Sequence, residues 1–462
     1  MNHSVAQTPS SPLLRRIVLS LLVAGALGQL FNNIALVRVS ASFAVTVPLL
    51  ILGLAALLAF FTPAPRPADD TSVILAMVLI GWQIFVGVAL GLVTNREWIQ
   101  PFMLLFVYAL CFAIVARLAI SSEDIGWAVA TAAVMIILFG SIGIIQFVLL
   151  NFFGIVLALP PAFSAVPWDP LIDIYRTGGV LRPAGLSYEP STFSIALSFA
   201  LVLLMLLTSV FSSRHRKLLL VSVLFLLTAS LLTLSLSGWA IAVPALGVSV
   251  LNARFRRFAL PLLVIVTAVV IWALYAGVST VVTDRLNTIA AGEDESANVR
   301  VLAALALLVH PPDNLAQFFT GTGLGQNPDF GAMMDEVYLR RFGITEPYIH
   351  NIFTVVRVGQ GWVGIVLHFV LLFAVLRPDV RRNREFYLPM MVMVFALHFA
   401  SGFYLDPTFW SILALLMVLR RVDAQQPETT AVAPASMRND TPARRLLMRP
   451  SADPRAHIRN NP

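Results

Sequence analysis

The chain has 462 residues, of which 58% are hydrophobic and only 12% charged, with a mean hydropathy of +0.84; soluble globular domains carry roughly 25% charged residues. That balance excludes a water-soluble enzyme and a disordered chain, and a single cysteine, Cys111, excludes an internal disulfide framework or a cysteine zinc site. The 31 Lys and Arg against 24 Asp and Glu give a net charge of +7, but the basic residues sit in short gaps between apolar runs, which points to membrane topology and away from nucleic acid.

A bilayer core of about 30 Å takes on the order of 20 apolar residues per helix. In chain order, spans are predicted over Ile17 to Val37, Ala41 to Phe61, Ser72 to Val93, Trp98 to Ala116, Ile125 to Leu150, Ser191 to Phe211 and Phe258 to Val282. Leu218 to Ala253 and Tyr387 to Leu419 are too long for one crossing and have basic flanks at both ends. Each is read as crossing twice, the first turning near Ser235 to Gly238 and the second near Asp406 and Pro407. A last crossing runs from Ile349 or His350 to Leu376, which makes about twelve transmembrane helices in an all-α polytopic membrane protein.

With alternating spans, Arg15/Arg16, Arg214/Arg216/Lys217, Arg254/Arg256/Arg257, the Arg377 to Arg384 cluster and Arg420/Arg421 all fall on one side, assigned to the cytoplasm. The division that follows is a cytoplasmic N-terminus (1–16), five spans (17–150), a first periplasmic loop (151–190), further spans (191–282), a large periplasmic loop (283–348), the last spans (349–420) and a disordered cytoplasmic tail (421–462). Loops of this length between spans point to function. Within the larger one, Asn298 to Val309 reads as a short helix lying against the outer leaflet.

The first loop ends in Arg182-Pro-Ala-Gly185-Leu-Ser-Tyr188-Glu189-Pro190-Ser191 and leads straight into a span. Pro190 suits the first turn of that helix. Either Arg182 pairs with Glu189 in an interfacial loop, or the arginine holds an anion at the mouth of a cavity, where its planar fork and the nearby helix end suit a diphosphate. The second loop supplies Arg300, then Gly321-x-Gly323-x-Gly325, a tight turn or a ligand loop that lacks the Gly-Lys-Ser/Thr of a nucleotide site. Tyr348-Ile-His350-Asn351 follows where the chain re-enters the membrane: an imidazole near neutral pKa suits a base, and Asn351 suits the orientation of a hydroxyl. Arg357 lies two turns further along the same face and calls for a wet cavity or a snorkelling geometry. Gly361 and Gly364 read as close-packing positions, His368 and His398 as an interhelical pair or a proton relay, and Asn32/Asn33, Gln83 and Gln146 as interhelical hydrogen-bonding residues. The outer loops show no paired metal ligands.

This ordered set resembles the bacterial O-antigen ligase and polysaccharide polymerase family (WaaL and Wzy types): Arg182-x-x-Gly185 with Glu189-Pro190-Ser191, Arg300 before an apolar helix, the spaced glycines Gly321, Gly323 and Gly325, His350-Asn351, and Gly361-x-x-Gly364, over about Arg182 to Leu376. Glu-Pro-Ser looks more like exopolysaccharide polymerases than ligases. Two positions depart from the family pattern: Ser237-Gly238 stands where Ser-Arg is frequent, and Gly359 where an acidic residue is usual.

The resemblance implies a lipid-dependent glycosyltransferase architecture of the GT-C-like kind in the bacterial inner membrane, with both termini cytoplasmic and the site facing the periplasm. Its expected substrate is an undecaprenyl-diphosphate-linked oligosaccharide, used without nucleotide sugar, cofactor or metal. The implied roles are Arg182 and Arg300 on the diphosphate and His350 as the base, with inversion at the anomeric carbon. Glu189, Tyr188, Asn351 and Arg357 are the expected further substrate contacts. Membrane lipids, a chain-length regulator and a flippase are the implied partners, and no nucleic acid. The alternatives by reaction are a ligase transferring finished glycan to lipid A core or protein, and a transporter or flippase of lipid-linked sugars.

Overall fold

In the computed structural model the described residues are 11–40, 43–62, 71–157, 159–165, 176–177, 180–187, 189–211, 216–233, 235–251, 314–325, 351–377, 384–400 and 403–424, with scattered positions between 256 and 308. The helices are α1 (Pro12–Ala26), α2 (Val47–Phe60), α3 (Thr71–Ala89), α4 (Arg96–Val115), α5 (Ser122–Phe152), α6 (Pro190–Phe211), α7 (Arg216–Leu232), α8 (Leu236–Val250), α9 (Leu315–Thr320), α10 (Ile352–Leu376), α11 (Arg384–Ala400) and α12 (Pro407–Ala424). Two small antiparallel ribbons accompany them, β1 (Ala35–Ser40) with β2 (Phe43–Thr46) and β3 (Arg176–Thr177) with β4 (Val180–Leu181).

Five of the described helices are long and apolar enough to cross a membrane, and five shorter apolar segments accompany them. The protein is an all-α membrane protein. The expected span Phe258 to Val282 and the short helix at Asn298 to Val309 lie largely outside the described residues.

The first predicted span needs correction. The run Ile17 to Val37 is helical only to Ala26, then passes through a 3-10 turn at Gly28–Leu30 into β1. The reason is local: Gln29, Asn32 and Asn33 place polar groups at the end of an apolar run, and Asn32 Nδ2 donates to Gln29 Oε1 at 2.6 Å. Beyond them Ala-Leu-Val-Arg-Val-Ser favours an extended chain through its β-branched residues. The second double crossing of the prediction, by contrast, divides as read, into α11 and α12 with Asp406 at the turn. The first turns at Thr233 to Ser235, slightly earlier than expected, because Ser237 and Gly238 already belong to α8.

One end of the bundle is locked by charge. Ser121 and Asp124 form a capping box at the start of α5, with Ser121 N donating to Asp124 Oδ2 at 3.0 Å. The same buried carboxylate receives Arg16 Nε at 3.1 Å and Arg15 Nε at 3.4 Å from α1. At the same end of the helices α10 and α12 are tied, where Arg420 Nη1 donates to Ala374 O at 2.5 Å.

In lipid, helix association relies on close van der Waals packing more than on water exclusion. Small residues serve that need where α1 meets α12: a Cβ on Gly25 would lie 2.6 Å from Ser411 Oγ. Helix α6 is buried from Pro190 to Leu207 and packs against α5, α7, α8 and α11, so it forms the centre. At 31 residues, α5 reaches roughly 46 Å at 1.5 Å per residue. That exceeds the bilayer core of about 30 Å, so its last turns carry Gln146 and Asn151 beyond the core to the far loop.

Candidate active site

The segment before α6 is held by side chains of α5. Asn151 clamps β4 from both directions, its Oδ1 accepting from Leu181 N at 2.9 Å and its Nδ2 donating to Leu181 O at 2.8 Å. Three residues on, Gln146 Oε1 accepts from Ala184 N and from Gly185 N, both at 2.9 Å. Its Nε2 donates to Leu157 O at 2.9 Å. Arg182 therefore sits between two fixed points of the backbone. It is half-buried, and its position is set before any ligand arrives.

The loop is also stitched to the end of α1. Asn33 N donates to Leu186 O at 3.1 Å, Ala165 N to Asn33 O at 2.8 Å, and Ser187 Oγ to Gln29 O. Glu189 closes the segment at the start of α6: its Oε1 accepts from the hydroxyls of Ser191 and Thr192, the latter at 3.1 Å. Pro190 opens the helix as the sequence suggests.

The start of α10 approaches the same place. Asn351 is the cap of this helix, its Oδ1 accepting from Thr354 N at 3.3 Å. Ile352, Ile195, Phe199, Gln29, Thr408 and Ile412 line a small, almost wholly apolar pocket of about 20 Å³. The starts of α6, α10 and α12 and the end of α1 thus surround one apolar space. Beside it Asp406 Oδ1 accepts from Thr408 N at 2.7 Å. Burial pushes the Asp406 carboxyl above the usual carboxylate range, with hydrogen bonds from Thr408 and Gln29 pulling it back.

Further along, α10 is broken. Gly361 has φ 67° and ψ −170°, outside the helical region. The break exists because another backbone occupies the space: a Cβ on Gly361 would lie 2.1 Å from Phe319 O in α9, and one on Gly321 would lie 2.1 Å from Val358 O. Only glycine permits both the conformation and the approach. Carbonyls at the break find new donors: Thr322 N donates to Val358 O at 2.7 Å, and Trp82 Nε1 to Gln360 O at 3.0 Å. The glycine run is thus a wedge between α10 and the first turn of α4, where Gly325 faces Glu97 O. Gly361 does more than allow packing, since it ends one helical run and starts another.

Of the residues singled out in the sequence, the structure positions Arg182, Glu189, Asn351 and Arg357; His350, Arg300 and Tyr188 lie outside the described residues. Gln146 is no interhelical residue but the holder of the Arg182 loop. Asn32 bonds locally to Gln29. Gln83 is fully buried with neither amide atom partnered. His368 and His398 do pair between α10 and α11, Nε2 to Nε2 at 2.8 Å. His398 Nδ1–H donates to Val394 O at 2.6 Å, which fits two neutral rings with His368 donating and its Nδ1 left without a partner. Sequence reasoning missed Asn151, Gln29 and the Gln360 to Tyr404 bond of 2.7 Å. Gln29, three residues before Asn32 in an apolar run, was the one with a readable signal. Among the described residues no group of three or more His, Cys, Asp or Glu stands close enough to hold a metal ion.

Compared with known families, the chain matches the WcaD colanic acid polymerase model over residues 18–422. No curated protein matches it.

Proposed function

The chain belongs to the WcaD colanic acid polymerase family, a polymerase family of the Wzy type that joins lipid-linked oligosaccharide repeat units into exopolysaccharide in the membrane, and from that premise we propose that it acts at the periplasmic face of the bacterial inner membrane on an undecaprenyl-diphosphate-linked donor. The observation that carries the reading is the double clamp on the Arg182 loop. Breaking the bond between anomeric carbon and phosphate builds negative charge on the leaving lipid diphosphate, and a donor fixed in advance stabilises that charge without reorganisation. Asn151 and Gln146 supply the fixing.

In this reading Arg182 and Arg300 hold the diphosphate. His350 removes the proton of the acceptor hydroxyl as that oxygen attacks the anomeric carbon opposite the leaving group, so the centre inverts. The electron pair of the broken bond stays with the diphosphate. Glu189, Tyr188 and the Asn351 NH2 group contact the sugars, and Arg357 completes the substrate contacts. The chemistry asks for no nucleotide sugar and no metal. The orientation, with the arginine-rich side in the cytoplasm, and the count of twelve spans belong to the same proposal, as do a flippase and a chain-length regulator as partners.

The test is reconstitution of the purified chain in liposomes with undecaprenyl-diphosphate repeat units, with and without lipid A core. A ladder of products from the donor alone is the expected result; product only with the core acceptor identifies a ligase, and no product from either, with folded protein, favours a transporter. His350→Ala and Arg182→Ala are each expected to slow ladder formation by about 100- to 1000-fold. Near-normal ladders from both variants at normal protein levels would remove the assignment.

A further inference from the structure

Helix α5 carries one exposed apolar face along most of its length. Val134, Leu138, Ile145, Val148 and Phe152 recur at three-, four- and seven-residue intervals, the spacing of a single helix face, and all five are exposed. In a chain that spans a membrane such a face lies against lipid. No Asp, Glu, Lys or Arg occurs between Asp124 and Asp169, so nothing charged interrupts the face or the turn that follows it.

The face continues past the expected edge of the bilayer core. From Asp124, at the charged end of the bundle, to Phe152 the helix rises about 42 Å at 1.5 Å per residue, against a core of about 30 Å. Phe152 is nevertheless 73% exposed and Phe153 67%.

Beyond α5 the chain turns back toward the core. Gly154, with φ 65°, ends the helix in the left-handed conformation, and Phe153 N and Ile155 N both donate to Leu149 O, at 3.2 and 2.9 Å. Leu157 O then accepts from Gln146 Nε2 at 2.9 Å, which sets Leu157 beside a residue about 9 Å below Phe152 along the helix axis. Every residue from Phe152 to Leu157 is exposed. Asn151, at the foot of the turn, directs its side chain inward onto Leu181. A 3-10 turn at Pro161–Phe163 adds one more exposed ring, Phe163.

An irregular chain does not lie in the hydrocarbon core with backbone groups facing lipid, and a contiguous exposed apolar surface marks a membrane or partner contact. The boundary between acyl chains and headgroups meets both conditions, because water still reaches the backbone there while the side chains enter the acyl region. Tilt of α5 or local thickening of the bilayer accommodates the remaining length.

We propose that the turn from Phe152 to Leu157, together with Phe163, is a lipid-binding surface seated at the acyl–headgroup boundary of the leaflet remote from Arg15 and Arg16. Its occupant is bulk phospholipid, because the surface continues the lipid face of α5 without a break. The seat also sets the depth of the Arg182 loop: Gln146, which holds Leu157, holds Ala184 and Gly185 as well, and Asn151 holds Leu181. That this depth suits a lipid-linked donor rests on the function proposed above; the seat itself does not.

The experiment is a depth measurement on the full chain, in which the one native cysteine, Cys111, is buried and is replaced by Cys111→Ser. In that background Phe152→Cys and Phe163→Cys are each spin-labelled and reconstituted in vesicles of phosphatidylethanolamine and phosphatidylglycerol, with Val134→Cys and Glu123→Cys as references for the core and for water. Both test positions are exposed, so the label displaces no packed side chain. Collision with oxygen, which concentrates among acyl chains, is compared with collision with a water-soluble nickel chelate. At Phe152 and Phe163 oxygen is expected to dominate, at a depth between the two references. Chelate collisions as frequent as at Glu123 would put the turn in water, and rare collisions with both reagents would mean that a second copy of the chain covers it; either result overturns the proposal. A second variant, Phe152→Asp, is expected to shift the Phe163 label toward the chelate, and an unmoved label overturns the shared seat. No substrate enters the measurement, so a seated but inactive chain overturns the polymerase reading alone.

Discussion

Two places in the bundle set arginine next to the start of a helix, and they are built oppositely. At α5, Arg15 and Arg16 meet the buried Asp124, which also caps the helix, so every positive end has a negative partner. At the break in α10, Arg357 lies over the Trp362 ring beside a second helix start, outside the ion pairs formed among the described residues. The pairing at α5 makes a fastening between two helices; at α10 the arginine lies against an aromatic ring instead.

The contrast breaks first at the glycine that creates it. Gly361→Ala puts a Cβ into Phe319 O in a left-handed conformation, and is expected to cost about 3 kcal/mol or to expel α9 from its seat. Thermal unfolding, with protease cleavage near α9 as a second readout, checks it; an unchanged midpoint and cleavage pattern would mean that the wedge does not hold the break open. Asp124→Ala should come next, at about 2–3 kcal/mol, from two arginines left without their carboxylate and a lost cap, partly relieved because both arginine side chains keep some exposure. Here the sharpening measurement is ladder formation per folded molecule, expected to be unchanged, whereas Arg182→Ala removes activity and leaves stability near the parent's. The smallest effect belongs to Trp82→Phe, which takes one donor from Gln360 O. A loss of about 1 kcal/mol is expected, and a loss several times larger would show that the indole, more than the glycine wedge, sustains the break.

Much of the fold was legible because lipid imposes a simple rule. A segment without water must satisfy its own backbone, so long apolar runs become helices, and α3, α4, α5 and α6 follow their predicted runs closely. The rule failed after Ala26, where the apolar run continued to Val37 but the helix did not. A hydropathy window does not register that Gln29, Asn32 and Asn33 can bond to each other and to a loop that arrives from Leu186. The bonds of Glu189 to Ser191 and Thr192, the cap at Asn351 and the start at Pro190 were within reach of sequence, being contacts over two or three residues.

The candidate site divides along the same line. Composition, the apolar runs and the ordered motifs from Arg182 to Gly364 determined by themselves that this is a membrane protein with its polar chemistry gathered in loops, because residue type and order suffice for both. Only the tertiary structure decided that Gln146 and Asn151 hold the Arg182 loop, that Gly321 and Gly361 exist for one another, and that Arg357 lies over the Trp362 ring at a second helix start. The first two join groups 30 or more residues apart and the third depends on a break made by such a contact, and no long-range contact is written in the local sequence.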